Sequence, residues 1–136
     1  EIPFIVLSWK LIQGRSPMMA IAISSVAIVV RLLIYALFPT PIGVILGQLL
    51  HSICYGLFQP AAILFINLKT PPSDRTTGMA LYMGVGMGLP AFLGSALGGT
   101  VVEIFGYRWL FASYTLFAVA SILLFWRFRK ELKAVR

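Results

Sequence analysis

Residues 18–38 read MMAIAISSVAIVVRLLIYALF, an apolar run that contains one cation, Arg31. A helix of this length rises about 30 Å, which matches the hydrocarbon thickness of a bilayer. An arginine near the middle of such a helix costs about 2.5–3.5 kcal/mol on insertion scales, so it is expected to face a polar partner or a watery cavity. The stretch therefore predicts a membrane-spanning helix within a bundle that has a polar interior.

The rest of the chain has the same apolar character, since 60% of its 136 residues are hydrophobic and 11% are charged. Runs of spanning length predict an all-α, polytopic membrane helix bundle with four full spans at about residues 18–38, 42–66, 77–102 and 109–126. Residues 1–12 are interpreted as a partial span and residues 127–136 as a basic tail. The chain opens at Glu1 inside an apolar stretch with no signal-peptide features, so we interpret it as part of a longer protein.

The net charge is +7, and the positions of the basic residues indicate how the chain is oriented in the membrane. Nine basic residues lie on one side of the predicted membrane, one lies on the other side, and Arg31 lies within it. The positive-inside rule makes the first side, which carries the C-terminus, cytoplasmic. We therefore expect a lipid bilayer around the chain and no nucleic-acid partner.

A polar stripe marks the second full span. At about 100° per residue its members fall within about 100° of arc, so they share one helix face, which is expected to line the bundle interior. The members are Gln48, His51, Ser52, Tyr55 and Gln59. One interpretation is the lining of a cavity, which so many polar side chains on one face favour. The other is a set of interhelical hydrogen bonds, each worth about 0.6 kcal/mol.

Arg31 and His51 are predicted to lie at similar depth. Arg31 is about 12 Å from the helix end at Pro39, and His51 is about 15 Å from Pro41 on the antiparallel neighbour. Burial and a nearby guanidinium both disfavour the imidazolium, so we expect a neutral His51. Glu1 is expected near the same level, where Arg31 could pair with its carboxylate or hold solute oxygens through its forked donors. A fixed Arg31–Glu1 pair that only locks helices together is the alternative.

The third full span is rich in glycine. The patterns Gly84-xxx-Gly88 and Gly94-xxx-Gly98 predict close approach of helix backbones. Pro60 and Pro90 lack the N–H that would bond the preceding turn, so we expect a kink at each.

These stretches, in this order, resemble the C-terminal half of a major facilitator superfamily transporter, from the eighth span to the twelfth. Within that superfamily they resemble the branch of the lactose permease and the nucleoside–proton symporters. The resemblance implies a fold of twelve helices in two six-helix bundles, a central cavity, alternating access and a bacterial cytoplasmic membrane. It is carried by Glu1-Ile2-Pro3, Arg31, Gln48-Leu49-Leu50-His51, Pro72-Ser73-Asp74-Arg75, Gly94-xxx-Gly98-Gly99 and Phe105-Gly106-Tyr107-Arg108-Trp109-Leu110-Phe111.

The resemblance also implies residue roles. Glu1 matches a carboxylate that contacts sugar in the permease, and Arg31 and His51 match members of its coupling and binding network. The chain departs from the permease at Gln48, where the permease has a lysine, and at Cys54, where it has a proton-carrying glutamate. The second departure argues against the permease's proton route and against a galactoside, and it leaves Glu1 as the best acid unless the missing N-terminal half supplies one.

The sequence therefore predicts a fragment of a secondary active transporter that moves a small polar solute, such as a sugar or nucleoside, together with protons. The candidate substrate-binding or coupling residues are Glu1, Arg31, Gln48, His51, Tyr55 and Gln59. The alternatives are a four-span exporter that works as a dimer, and a membrane scaffold or assembly subunit whose polar residues serve packing. No cofactor, metal site or enzyme is expected, because one Cys, one His and four acids provide no metal-ligand spacing and no nucleophile–base–acid set.

Overall fold

The computed structural model describes the backbone of residues 16–134 and the side chains of residues 16–128. Five α-helices follow one another in this part: α1 (Pro17–Leu37), α2 (Pro41–Lys69), α3 (Arg75–Leu81), α4 (Leu89–Phe105) and α5 (Tyr107–Ala134). A 3₁₀ turn at Pro72–Asp74 precedes α3, and a π-helical segment at Tyr82–Gly88 joins α3 to α4. Glu1 and the predicted partial span at residues 1–12 lie outside the described residues.

Four helical stretches are long and apolar enough to cross a membrane: Pro17–Leu37, Pro41–Lys69, Pro72–Phe105 and Tyr107–Phe128. The predicted fold class, an all-α membrane bundle with four full spans, is confirmed. Most of the large apolar side chains on these helices are exposed in this four-span unit, with Phe117 at 75% as the extreme. Such exposure is expected of helices that contact lipid or further helices rather than water.

The helix ends follow the prolines and one glycine of the sequence. Helix α1 ends at Leu37, and α2 begins at Pro41 behind Thr40, whose hydroxyl oxygen accepts the N–H of Gly43 at 3.2 Å. Helix α2 continues through Lys69, three residues beyond the predicted span, because the first proline after it is Pro71. Only Gly106 separates α4 from α5, although the predicted spans leave a longer turn at residues 103–108. Its φ of 82° is a left-handed conformation that glycine adopts without strain.

The third spanning stretch is not a uniform α-helix, because its middle is π-helical. Pro90 lacks the N–H that would bond the carbonyl of Gly86, and the N–H of Leu89 donates to the carbonyl of Gly84, five residues earlier. The sequence predicts a kink at Pro90, and the structure places a change of hydrogen-bond register directly before it. Pro60, the other expected kink, lies inside a single continuous α2.

Helix α1 lies at the centre of the packing, between α2 and α5. Helix α4 packs against α5, and α3 packs against α2. Small side chains bring α1 and α2 together near the start of α1, where Ala20, Ser24 and Ala61 are all buried. The Ser24 hydroxyl is satisfied by donating to the Ala20 carbonyl at 2.7 Å. This close antiparallel contact aligns the middle of α1 with the middle of α2.

Candidate functional site

Arg31 of α1 and His51 of α2 are in direct contact in the middle of the bundle. Arg31 Nη1 lies 2.6 Å from His51 Nδ1, and both side chains are half-buried. A guanidinium carries donors and no acceptor, so Nδ1 must accept with its lone pair and the ring proton must lie on Nε2. The contact agrees with the depth estimated from the sequence, and an accepting Nδ1 is compatible with the neutral His51 that the sequence predicts.

Tyr35, one helical turn after Arg31, forms a second contact with the guanidinium. Arg31 Nε donates to the Tyr35 hydroxyl oxygen at 3.2 Å, and Arg31 Cζ lies 5.3 Å from the centroid of the Tyr35 ring. Sequence reasoning did not include Tyr35 among the site residues. The i, i+4 spacing from Arg31 to the next polar side chain was the signal that could have found it.

The guanidinium of Arg31 has unused donors within the part of the chain that the structure describes. Of its five N–H groups, one is directed to Tyr35 and one to His51. The other three form no hydrogen bond to a described residue. A half-buried, permanently charged fork with open donors can bind the oxygens of a polar solute or a carboxylate.

The polar stripe of α2 divides into parts that have different surroundings. The ring of Tyr55 lies beside His51, with centroids 5.6 Å apart, and Tyr55 is 41% exposed. Gln48 is exposed and Ser52 is half-buried. Neither of these two makes a side-chain hydrogen bond to another described residue. His51 and Tyr55 therefore extend the Arg31 site, while Gln48 lies on the open surface one turn before His51.

Gln59 belongs to a separate polar cluster between α2 and the π-helical segment. The Tyr82 hydroxyl donates to Gln59 Oε1 at 3.1 Å, and Gln59 Nε2 donates to Met87 Sδ at 3.7 Å. Gln59 lies eight residues, about 12 Å, along α2 from His51. In this conformation its amide connects two helices, which is the packing role that the sequence left open for the stripe. Tyr82 and Met87 were not among the predicted residues.

The acidic residues within residues 16–128 lie at the ends of the spanning stretches. Asp74 precedes α3 and Glu103 lies in the last turn of α4, so within residues 16–128 no carboxylate lies in the middle of a span. Cys54 is a free thiol that is only 2% exposed. Glu1 lies outside the described residues. Among the residues that are described, no three His, Cys, Asp or Glu side chains lie together as metal ligands.

The sequence that forms these four apolar helices matches a known protein family. The MFS_1 like family matches residues 1–113. The chain belongs to this family. This assignment places it in the major facilitator superfamily, in agreement with the resemblance noted in the sequence, and it identifies the chain as part of an integral membrane protein.

The relatives that match the chain are bacterial transporters. It is 29% identical over 122 residues to the uncharacterized transporter YwbF of Bacillus subtilis (strain 168), covering 90% of this chain and 30% of that protein. It is 30% identical over 123 residues to a maltose permease of Geobacillus stearothermophilus, again covering 90% of this chain and 30% of that protein. The chain thus spans less than a third of the length of these relatives. No solved structure matches it significantly.

Proposed function

We propose that this chain forms part of a secondary active transporter in which a small polar solute, such as a sugar or a nucleoside, moves together with protons by alternating access. The observation that carries the proposal is the Arg31–His51 contact in the middle of two spans of a chain from the MFS_1 like family. The name of one relative, a maltose permease, favours a sugar. The solute site is completed by the N-terminal half of the transporter, which lies outside this chain.

The proposed solute site is built around Arg31. Three of its N–H groups form no hydrogen bond to a described residue. They suit the hydroxyl oxygens of a sugar, which accept hydrogen bonds from a guanidinium without carrying a charge. His51 lies beside Arg31, and the exposed ring of Tyr55 offers an aromatic surface for a sugar ring. Gln48 adds an amide that both donates and accepts. Gln59 joins this set only in a conformation that frees its amide from Tyr82.

The proton route of this proposal does not pass through Cys54, because a buried thiol in an apolar span is a poor proton carrier compared with a carboxylate. Glu1, or an acid in the N-terminal half, takes that role. When the acid is ionised, Arg31 can bind its carboxylate, and when the acid is protonated, Arg31 is released for the solute. Because Arg31 would bind either the carboxylate or the solute, protonation of the acid would be coupled to solute binding.

The proposal is tested by uptake into membrane vesicles that contain the full-length transporter, with labelled maltose and then labelled uridine as probes under an imposed pH gradient. Arg31→Ala and His51→Ala should each lower uptake by about ten- to a hundredfold, because a hydrogen bond to a charged group is worth about 1.5–3 kcal/mol. Arg75→Ala is the matched control, since Arg75 is exposed in the first turn of α3, away from this site.

Normal uptake by both Arg31→Ala and His51→Ala would overturn the central site. The scaffold alternative has its own support in the Gln59–Tyr82 bond, which uses a polar side chain for helix packing. It would be favoured if wild-type vesicles moved neither probe and if the same substitutions lowered only the thermal stability of the protein.

A further inference from the structure

We propose that Tyr35 is a positioning residue that holds the guanidinium of Arg31 against His51. The use of this arrangement for a solute rests on the function proposed above, whereas the arrangement itself does not. Two contacts from one side chain define it: the hydroxyl oxygen accepts from Arg31 Nε at 3.2 Å, and the ring lies under the guanidinium at 5.3 Å. Together they fix both the distance and the tilt of the planar fork.

Tyr35 can act in this way because its own position is fixed by three helices. It belongs to α1 and is only 8% exposed. From α5, the ring of Phe111 packs against it with centroids 5.0 Å apart and an interplanar angle of 50°. From α2, the backbone of Gly47 lies directly against the Tyr35 ring. A side chain that is anchored on α1 and packed between α2 and α5 is a rigid support, unlike the flexible arginine that it contacts.

Gly47 is the feature that makes room for this support. A Cβ atom built at Gly47 would lie 2.7 Å from the Tyr35 hydroxyl oxygen and would overlap the ring carbons next to it. Any larger residue at this position would therefore displace the ring, and the hydroxyl oxygen would move away from Arg31 Nε. Gly47 and His51 are four residues apart on α2, so the seat of Tyr35 and the partner of Arg31 are on the same helix face.

The physical need for a positioning residue follows from the arginine side chain. A free arginine carries about 2 kcal/mol of rotamer entropy, and in an apolar span it would turn towards any available acceptor. Because the Tyr35 hydroxyl occupies Nε, the two terminal nitrogens of the fork are left for other acceptors. One of them meets His51, and the remaining donors are held in a defined place.

The geometry is tested by nitrogen NMR of ¹⁵N-histidine-labelled full-length transporter in lipid nanodiscs, with the His51 signals assigned by their loss in His51→Asn. The wild-type signals should show an unprotonated, hydrogen-bonded Nδ1 and a protonated Nε2. In Tyr35→Phe, which keeps the ring and removes the hydroxyl, Nδ1 should lose this hydrogen bond, and its signal should shift towards that of an unbonded ring nitrogen. Tyr114→Phe is the matched control, because Tyr114 donates its hydroxyl proton to the Gly94 carbonyl on another pair of helices.

Wild-type His51 signals in Tyr35→Phe would overturn the proposal. A second measurement separates it from the transport function: the KM for maltose in counterflow should rise about five- to tenfold in Tyr35→Phe and in Gly47→Ala, with little change in the maximal rate. If the NMR signals change as expected while Arg31→Ala leaves maltose counterflow intact, the positioning role stands and the proposed solute site fails.

Discussion

Gly98 of α4 shows how single residues set the helix contacts of this molecule. A Cβ atom at Gly98 would lie 2.7 Å from the Tyr114 hydroxyl oxygen and 3.3 Å from Leu110 Cδ1, both on α5. The same hydroxyl donates to the Gly94 carbonyl at 2.8 Å, so the Gly94-xxx-Gly98 pattern admits a tyrosine against the α4 backbone. Gly84, in the other pattern, has no described atom within 4 Å of its Cβ position.

These two glycines give a paired prediction for stability. Gly98→Ala should destabilise the full-length transporter by about 1 kcal/mol, because the new methyl group displaces Tyr114 and breaks its hydrogen bond. Gly84→Ala should leave the Tm unchanged or raise it, since alanine is the better helix former. The thermal unfolding of detergent-solubilised protein measures both. A Tm that falls equally in the two variants would contradict this account of the α4–α5 contact.

The third spanning stretch differs most from its neighbours, because it is not α-helical throughout. Its π-helical segment, Tyr82–Gly88, lies just before Pro90 and is connected to α2 through Gln59. A π-helical stretch has a weaker hydrogen-bond pattern than an α-helix, and several glycines in it leave few side chains to support it. The Gln59–Tyr82 hydrogen bond is therefore expected to hold this segment in place.

Removal of the Tyr82 hydroxyl should loosen the segment. In Tyr82→Phe, the amides of residues 82–88 should exchange with deuterium faster than in the wild type, by about tenfold for a loss of about 1.4 kcal/mol in local stability. Hydrogen exchange of the full-length protein in nanodiscs, read by mass spectrometry, measures this rate. Tyr107→Phe is the control, because Tyr107 is 67% exposed at the start of α5. Equal exchange in both variants would show that Gln59 does not support the segment.

The elements also show which parts of the structure could be derived from the sequence. Hydropathy and prolines define α1 and α2, and counting residues from Pro39 and Pro41 places Arg31 beside His51, because antiparallel helices with a tight turn have a fixed relative depth. Depth alone does not give the rotation of a helix about its axis. Depth therefore does not show that Gln59 contacts Tyr82 of the third spanning stretch, whereas the i, i+4 spacing from Arg31 could have found Tyr35.

The distribution of basic residues along the chain predicts its orientation in the membrane. By the spans predicted from the sequence, nine of them lie on one side of the membrane, and the positive-inside rule predicts that this side is cytoplasmic. In a variant with Cys54→Ala and no other cysteine, Tyr107→Cys should react with a membrane-impermeant thiol reagent in intact cells. Ser73→Cys should react only after the membrane is permeabilised. The opposite pattern would invert the proposed orientation.

The chain is part of a major facilitator protein, and its spans meet at a central polar contact between Arg31 and His51. Four spans of a major facilitator chain carry one embedded cation, and that cation meets His51 and Tyr35 rather than an acid within the described residues. This contact is the basis of the solute site proposed above. The remaining helices of the transporter are expected to close the site from the opposite side.

The most direct test of this account is the binding of maltose, or of the solute that vesicle uptake identifies, to the purified full-length transporter in a double-mutant cycle. Arg31→Ala and His51→Ala should each weaken binding by at least tenfold. The double variant should be weakened by clearly less than the product of the two, because the side chains act as one hydrogen-bonded unit. Wild-type affinity in both single variants, or fully multiplicative losses, would contradict a shared solute site at Arg31 and His51.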